Sequence, residues 1–174
     1  MTLPVDSLEI RNAVAADAAE LTALLNAVIA KGGTTALQDP YTAEALDHAY
    51  ITGPDVHCCF VAVDRASGRI EGFQTLGRNP ALPDDIGDIG TFARLGGTQR
   101  GVGRALFNAT RQRATELGLA AINAMIRADN TGGLAFYGKQ GFIDHDVIAG
   151  VPLKDGTKVD RIVKRHSLLP PEIG

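Results

Sequence analysis

The segment that decides the fold is Thr98-Gln99-Arg100-Gly101-Val102-Gly103-Arg104, a glycine-rich turn between a strand pattern and a helix pattern. We predict the strand over residues 87–95 and the helix over residues 104–117. The first turn of a helix presents unpaired backbone N–H groups and the positive end of the helix dipole, which together bind phosphate. Gly101 and Gly103 suit a phosphate loop because a backbone without Cβ can curl and approach a pyrophosphate closely. A tight β–α turn is the alternative interpretation of the same glycines.

The residues after this turn exclude two common nucleotide motifs. A P-loop needs Gly-Lys followed by Ser or Thr, and no such run follows Gly101 or Gly103. A dinucleotide fingerprint needs a third glycine at the position of Leu106. ATP and NAD are therefore poor candidates for the ligand.

The patterns on both sides of the turn predict one α/β domain spanning residues 1–174. Before the turn we expect a strand, two helices and a hairpin. The first helix starts at a capping box of Asp17 and Glu20 and stops at Gly32-Gly33. After the turn and its helix we expect a strand, a short helix and two terminal strands. The predicted ranges are strand 8–12, helices from 17 and over 42–51, strands 58–64 and 70–76, strand 120–127, helix 133–140 and a strand pair around 154–157. This β-α-α-β-β-β-α-β-α-β-β order predicts a mixed central sheet with helices on both faces.

Composition limits the classes of partner. The chain has 174 residues, 45% of them hydrophobic, which is enough for one compact core. A net charge of −3 offers no broad attraction to nucleic acid or to anionic lipid. Residues 1–10 lack a secretory signal, and no run reaches the roughly 18 apolar residues of a membrane span. We therefore expect a cytoplasmic protein that binds neither nucleic acid nor membrane.

Cysteine and histidine positions do not indicate a metal site. Cys58 and Cys59 are adjacent in an apolar strand pattern, so their side chains should point to opposite faces and pack as small hydrophobic groups. The four histidines are scattered without ligand spacing such as H-E-x-x-H. We expect no metal cofactor.

Two separate motifs resemble the GNAT superfamily of N-acetyltransferases. The run Gly101-Val102-Gly103-Arg104-Ala105-Leu106-Phe107 resembles that family's [QR]-x-x-G-x-[GA] pyrophosphate loop, with Thr98 where Arg or Gln is usual. The run Asn130-Thr131-Gly132-Gly133-Leu134-Ala135-Phe136-Tyr137-Gly138-Lys139-Gln140-Gly141-Phe142 resembles its N-x-x-[SA]-x-x-[FL]-Y-x-x-x-G-F block. Both motifs occur in the family's order of elements, and the resemblance covers about residues 8–166.

The resemblance implies an acetyl-CoA site with three parts. The pantetheine arm pairs with a strand that splays from its neighbour, and the pyrophosphate lies on the amides of the glycine-rich turn. Asn130 hydrogen-bonds the cofactor, and a helix cap is the alternative role for this residue. The residues implied are Thr91, Phe92 and Ala93 on the strand, and Gln99, Arg100, Gly101, Val102, Gly103 and Arg104 in the turn.

The resemblance also implies two catalytic residues. Tyr137 is the general acid that protonates the departing thiolate, and a tyrosine packed in the core is the alternative. Asp88 is the candidate general base because enzymes resembling phosphinothricin acetyltransferases carry a glutamate there, thirteen positions before Gly101. A solvated loop acid, like Asp84 and Asp85, is the alternative for Asp88.

The expected reaction is acetyl transfer from acetyl-CoA to the primary amine of a small molecule such as an amino acid or an analogue. The presumed acceptor loops, residues 34–41 and 151–159, are short and carry no conspicuous charged array. A non-catalytic acyl-CoA-binding regulatory module and a peptide or protein N-acetyltransferase are the alternatives. Family resemblance also makes a homodimer a plausible assembly.

Overall fold

Alternating apolar residues build the strands, and apolar residues three and four apart build the helices. In the computed structural model, the described residues are 7–97 and 100–170. The strands are β1 (Leu8–Asn12), β2 (Val56–Asp64), β3 (Ile70–Arg78), β4 (Ile86–Ala93), β5 (Ala121–Arg127), β6 (Ile143–Pro152) and β7 (Lys158–Ser167). The α-helices are α1 (Ala18–Lys31), α2 (Ala43–Leu46), α3 (Val102–Glu116) and α4 (Thr131–Lys139). The predicted order of elements is confirmed.

All seven strands form one mixed sheet in the order β1-β2-β3-β4-β5-β7-β6. Strands β1 to β4 pair antiparallel with their neighbours, as do β5, β7 and β6. Between these two groups β4 and β5 run parallel, with α3 as the crossover connection. The antiparallel alternation is therefore interrupted at the centre of the sheet, between β4 and β5.

The helices cover both faces of the sheet, and each face has its own core. Apolar side chains of α1 and α2 pack with Phe73 and Phe92 on one face. On the other face, side chains of α3 and α4 pack with Leu76 and Ile122. Cys58 belongs to the second core and Cys59 to the first, which confirms that these neighbours point to opposite faces. Both thiols are buried and unpaired, and burial raises the pKa of Cys58 to about 11 and of Cys59 to about 12.

The start of α1 differs from the prediction. A 3₁₀ turn (Ala15–Asp17) precedes the helix, and Asp17 accepts the backbone N–H of Val14 at 2.8 Å. Glu20 does not complete a capping box with Asp17, because its carboxylate accepts the Ile70 N–H at 2.7 Å and pairs with Arg94. The predicted capping box is therefore wrong, since a tertiary contact with the start of β3 takes the carboxylate that the box requires.

Other helix ends follow local chemistry with small corrections. Gly32 and Gly118 have φ of +71° and +77° and follow α1 and α3 closely, so the predicted stops are confirmed. Leu117, the last residue of the predicted helix, is 40% exposed and lies just past α3, which ends at Glu116. The predicted second helix is α2 followed by a π-helical turn (Asp47–Ile51). In the described ranges no helix is long and apolar enough to cross a bilayer.

Candidate active site

Strands β4 and β5 separate soon after they begin. Their parallel pairing covers three positions, of which Asp88 with Asn123 is the last. Beyond it, residues 89–93 and 124–127 form no ladder with each other in the described structure. The β5-facing backbone groups of β4 are thus left open along a wedge, a local arrangement suited to an extended ligand that pairs like a strand.

A cavity of about 400 Å³ occupies this wedge. Its walls are β4, the end of β5, the start of α4 and the loop after α1, here named the α1–α2 loop (residues 34–41). The lining residues that carry polar side chains are Thr34, Thr35, Tyr50, Asp88, Thr91, Arg127, Asn130 and Tyr137. Both residues expected to act in catalysis therefore line one cavity.

Asp88 and Tyr137 reach the cavity from opposite faces of the sheet. Asp88 lies four residues from Phe92 on β4, on the face covered by α1 and α2. Tyr137 of α4 packs in the other core, with Ile89 of the same strand. A reacting group held in the wedge would thus have a carboxylate on one side and a phenol on the other.

Tyr137 is 7% exposed, and its hydroxyl has one hydrogen-bond partner among the described residues, the Thr91 hydroxyl at 2.8 Å. Its ring contacts Phe136 and Phe142 with centroids 5.0 Å away in each case. Burial raises the pKa of the phenol to about 12, the Thr91 hydrogen bond opposes this rise, and the charge of Asp88 adds to it. Tyr137 therefore stays protonated at neutral pH and can donate a proton.

Asp88 is held by amides on both carboxylate oxygens. Asn123 Nδ2 donates to Oδ1 at 3.0 Å, and Asn79 Nδ2 donates to Oδ2 at 3.1 Å. Arg165 Nε in turn donates to Asn123 Oδ1 at 2.7 Å, which orients that amide. Asp84, by contrast, is an exposed loop residue that pairs with Arg78. Asp88 therefore has the surroundings of an ordered cleft residue and not those of a solvated loop acid.

Comparisons with known proteins find solved structures only, since no protein-family model and no curated protein matches the sequence. A GCN5-related N-acetyltransferase from Kribbella flavida superposes with a TM-score of 0.81 at 22% identity, covering 94% of this chain and 99% of that one. A GNAT superfamily phosphinothricin acetyltransferase from Sinorhizobium meliloti, in complex with acetyl-CoA, gives 0.81 at 23% identity over 97% and 95% of the two chains. The chain has the GNAT fold.

Proteins with this fold are named for different acceptors. A ribosomal-protein-alanine N-acetyltransferase from Brucella melitensis gives a TM-score of 0.79 at 19% identity, covering 91% of this chain and 99% of that one. That enzyme is named for a ribosomal protein as its acceptor, whereas the Sinorhizobium meliloti enzyme is named for phosphinothricin. The GNAT fold alone therefore leaves the acceptor of this chain open.

The glycine-rich turn of this GNAT fold leads directly into α3. Gly101 has φ of +79° at the N-cap, a left-handed conformation that glycine adopts without strain. Arg100 and Arg104 are exposed beside it, while Val102, the first residue of α3, is buried. Helix α3 thus presents its free N-terminal amides next to two arginines. The expected contributions of Thr98 and Gln99 lie outside the described residues.

Gly103 has a packing role in addition to its expected place under a phosphate. A Cβ at this position would lie 2.7 Å from Cε2 of Phe136, the neighbour of Tyr137 on α4. The absence of a side chain lets α3 and α4 approach closely. A bulky substitution at Gly103 would therefore disturb both the turn and the tyrosine.

Asn130 connects α4 to the α1–α2 loop in the cavity wall. Its Oδ1 accepts the Gly133 N–H at 3.0 Å, which caps α4, and its Nδ2 donates to the Thr34 carbonyl at 2.7 Å. The guanidinium of Arg127 holds Asp129 through two hydrogen bonds of 2.9 and 2.8 Å. Asn130 is therefore a helix cap and an anchor of the α1–α2 loop in this structure, and its expected contact with the cofactor stays a prediction.

Sequence reasoning missed Gln74, Asn123 and Arg165. Gln74 and Asn123 are 0% and 1% exposed, and both lie on strands whose other residues are mostly apolar. A buried amide needs hydrogen-bond partners, so a polar residue inside an apolar strand pattern was the available signal. Its partners could not be known without the strand order.

Proposed function

We propose that this protein transfers the acetyl group of acetyl-CoA to the primary amine of a small molecule such as an amino acid or an analogue. The observation that carries the proposal is the wedge between β4 and β5, into which Asp88 and Tyr137 reach from opposite faces. A thioester held there would meet a carboxylate on one side and a phenolic proton on the other.

Acetyl-CoA would lie along β4 and reach the start of α3. The open backbone of Thr91, Phe92 and Ala93 would pair with the amides of the pantetheine arm. The pyrophosphate would lie on the turn of Gln99, Arg100, Gly101, Val102, Gly103 and Arg104, where free amides and arginine charge favour an anion. The Sinorhizobium meliloti protein of the same fold was solved in complex with acetyl-CoA, which supports acetyl-CoA as the ligand.

Transfer requires a neutral amine, a polarised thioester and a proton for the thiolate. Asp88 would take a proton from the acceptor ammonium, directly or through water. The amine nitrogen would then attack the thioester carbon, and a backbone amide of β4 would stabilise the oxyanion. As the carbon–sulfur bond breaks, the sulfur keeps the electron pair and takes the phenolic proton of Tyr137. The nitrogen loses its second proton to water, which leaves a neutral amide and CoA.

The acceptor side of the cavity supports a small substrate. The α1–α2 loop borders the wedge at Thr34 and Thr35, with Asn130 and Arg127 donating to their carbonyls at 2.7 and 3.4 Å. Lys154, in the β6–β7 turn, donates its backbone N–H to Gln38 of this loop and pairs with Asp39. The two expected acceptor loops therefore brace each other, and we take this order beside the wedge as favouring a small acceptor.

Thiol release from acetyl-CoA across a panel of amines tests the proposal. We expect release with one class of free amino acids, amino-acid analogues or other small amines. Release only with peptides would favour a peptide or protein N-acetyltransferase. Binding of CoA in calorimetry without release on any amine would favour a non-catalytic acyl-CoA-binding module.

A homodimer and a cytoplasmic location complete the proposal. Strand β6 lies at an edge of the sheet and exposes Ile143, Val147 and Ile148. An exposed apolar edge strand favours pairing with another chain, and sedimentation of the purified protein tests this. Cytoplasmic location rests on the sequence arguments alone.

A further inference from the structure

A partly buried hydrogen-bond chain leads from β3 to the phenol of Tyr137. Gln74 Nε2 donates to Thr91 Oγ1 at 2.9 Å, and Thr91 Oγ1 lies 2.8 Å from the Tyr137 hydroxyl. Gln74 is fully buried on β3, directly opposite Thr91 in the antiparallel register of β3 and β4. The GNAT resemblance assigns no role to either side chain.

The donor pattern of this chain favours one direction for the protons. A threonine hydroxyl has one proton and two acceptor sites, whereas an amide nitrogen only donates. Because Gln74 Nε2 donates to Thr91 Oγ1, the remaining acceptor for the Thr91 proton among the described residues is the Tyr137 oxygen. When Thr91 donates to that oxygen, the phenolic proton of Tyr137 is free to point into the cavity.

We propose that Thr91 is a positioning residue for Tyr137: its hydroxyl, oriented by Gln74, directs the phenolic proton into the wedge and then stabilises the phenolate. This inference rests on the proposed acetyl transfer. Asp88, the one other group expected to handle protons here, lies on the opposite face of the sheet and makes its hydrogen bonds to Asn79 and Asn123.

The proton and charge balance explains why the phenol needs such a partner. Breaking the carbon–sulfur bond leaves the electron pair on sulfur, and the phenolic proton neutralises it, so the negative charge moves to the Tyr137 oxygen. A phenolate without a donor is costly in a buried site. The Thr91 hydroxyl supplies a donor already in place, and the amide of Gln74 polarises that hydroxyl further. Solvent protons restore the phenol after CoA leaves.

The test is a set of matched substitutions measured by single-turnover transfer at saturating substrates. Thr91→Val keeps the shape, the β-branched side chain and the backbone that would pair with pantetheine. We expect the transfer rate to fall about ten- to a hundredfold, with CoA affinity unchanged, because a hydrogen bond to a charged group is lost. Thr91→Ser keeps the hydroxyl and should restore most of the rate. Gln74→Met should cause a smaller loss, since it acts through Thr91.

Thr110→Val is the control. Thr110 is a fully buried threonine of α3, and its hydroxyl has no partner among the described residues. This substitution removes a buried threonine hydroxyl that takes no part in the chain, so the transfer rate should match that of the wild type. A loss as large as that of Thr91→Val would mean that packing and not the hydrogen bond sets the rate.

A double-mutant cycle with Tyr137→Phe decides whether Thr91 acts through the phenol. In the Tyr137→Phe background, Thr91→Val should change the rate by less than about twofold, because the acceptor of its proton is gone. Equal losses in both backgrounds would overturn the inference, as would wild-type rates for Thr91→Val in an active enzyme. A wild-type protein that transfers acetyl to no amine would overturn the proposed function, and the inference with it.

Discussion

Replacing Tyr137 by phenylalanine separates the chemical role of this residue from its structural role. The variant keeps the ring contacts with Phe136 and Phe142 and loses the 2.8 Å hydrogen bond to Thr91. If the phenol is the general acid, we expect kcat and kcat/KM to fall together by about 10²-fold, near the lower end of general acid catalysis because water can partly replace the donor. CoA affinity should be nearly unchanged, since the proton is needed as the carbon–sulfur bond breaks.

The structural cost of the same substitution should be small. Thr91 keeps the hydrogen bond that it accepts from Gln74, and only its own proton loses an acceptor, the Tyr137 oxygen. Loss of one buried hydrogen bond costs about 1 kcal/mol, which corresponds to a melting temperature about 2–4 °C lower for a domain of this size. We therefore expect Tyr137→Phe to remain folded, so that unfolding cannot explain its slower transfer.

Tyr41→Phe is the matched control for Tyr137→Phe. The Tyr41 hydroxyl also has a hydrogen bond to lose, to the hydroxyl of Tyr50 at 3.1 Å. Tyr41 itself does not line the cavity but Tyr50 does, so transfer by both variants is measured at saturating acceptor. Single-turnover transfer and thermal melting are measured on both variants. We expect similar melting temperatures and slow transfer for Tyr137→Phe alone. Normal transfer by Tyr137→Phe, or equally slow transfer by both variants, would refute the reasoning.

Three further predictions concern the base, the turn and the pH dependence. Asp88→Asn should lower kcat/KM about 10²-fold and flatten the acidic limb of the pH–rate profile; an unchanged limb would show that the proton leaves by another route. Arg104→Gln should weaken CoA binding in calorimetry about two- to fivefold, more at low salt than at high salt, while Arg111→Gln, seven residues along α3, should not. The pKa of Tyr137 is raised to about 12 from 10, so its neutral form stabilises the fold fully below about pH 10, and this contribution is lost as pH rises to about 12. Tyr137→Phe should therefore reduce the alkaline loss of stability by roughly 2 kcal/mol, measured by urea unfolding at pH 9 to 11.5, and a parallel decline in both proteins would contradict the buried phenol.

The sequence predicted the order of the elements because that order depends on local patterns. Apolar spacing identified α1 and α3, and the adjacent cysteines identified two buried faces of β2. Element ends were predicted where glycine determines them, as at Gly32 and Gly118. The expectation for Glu20 was wrong because its partner, Ile70, is fifty residues away in sequence.

The candidate site could be predicted only in part. Motif spacing singled out Asp88 and Tyr137, and the structure brings both to one cavity. Motif spacing could not identify Gln74, Asn123 and Arg165 as the residues that support this pair, since those contacts depend on strand register. Asn123 reaches Asp88 through the three-position pairing of β4 and β5, and Arg165 reaches Asn123 across the β5–β7 ladder.

The sequence alone determined the strand–turn–helix at Gly101, the two-faced strands and the position of Tyr137 within its motif, because each of these follows from neighbouring residues. Tertiary structure decided that β4 and β5 part after Asp88, that carboxylate and phenol enter the wedge from opposite faces, and that the α1–α2 loop is anchored by Asn130. The physical reason is that strand pairing and side-chain hydrogen bonds join residues far apart in sequence, whose meeting depends on the packing of the whole sheet.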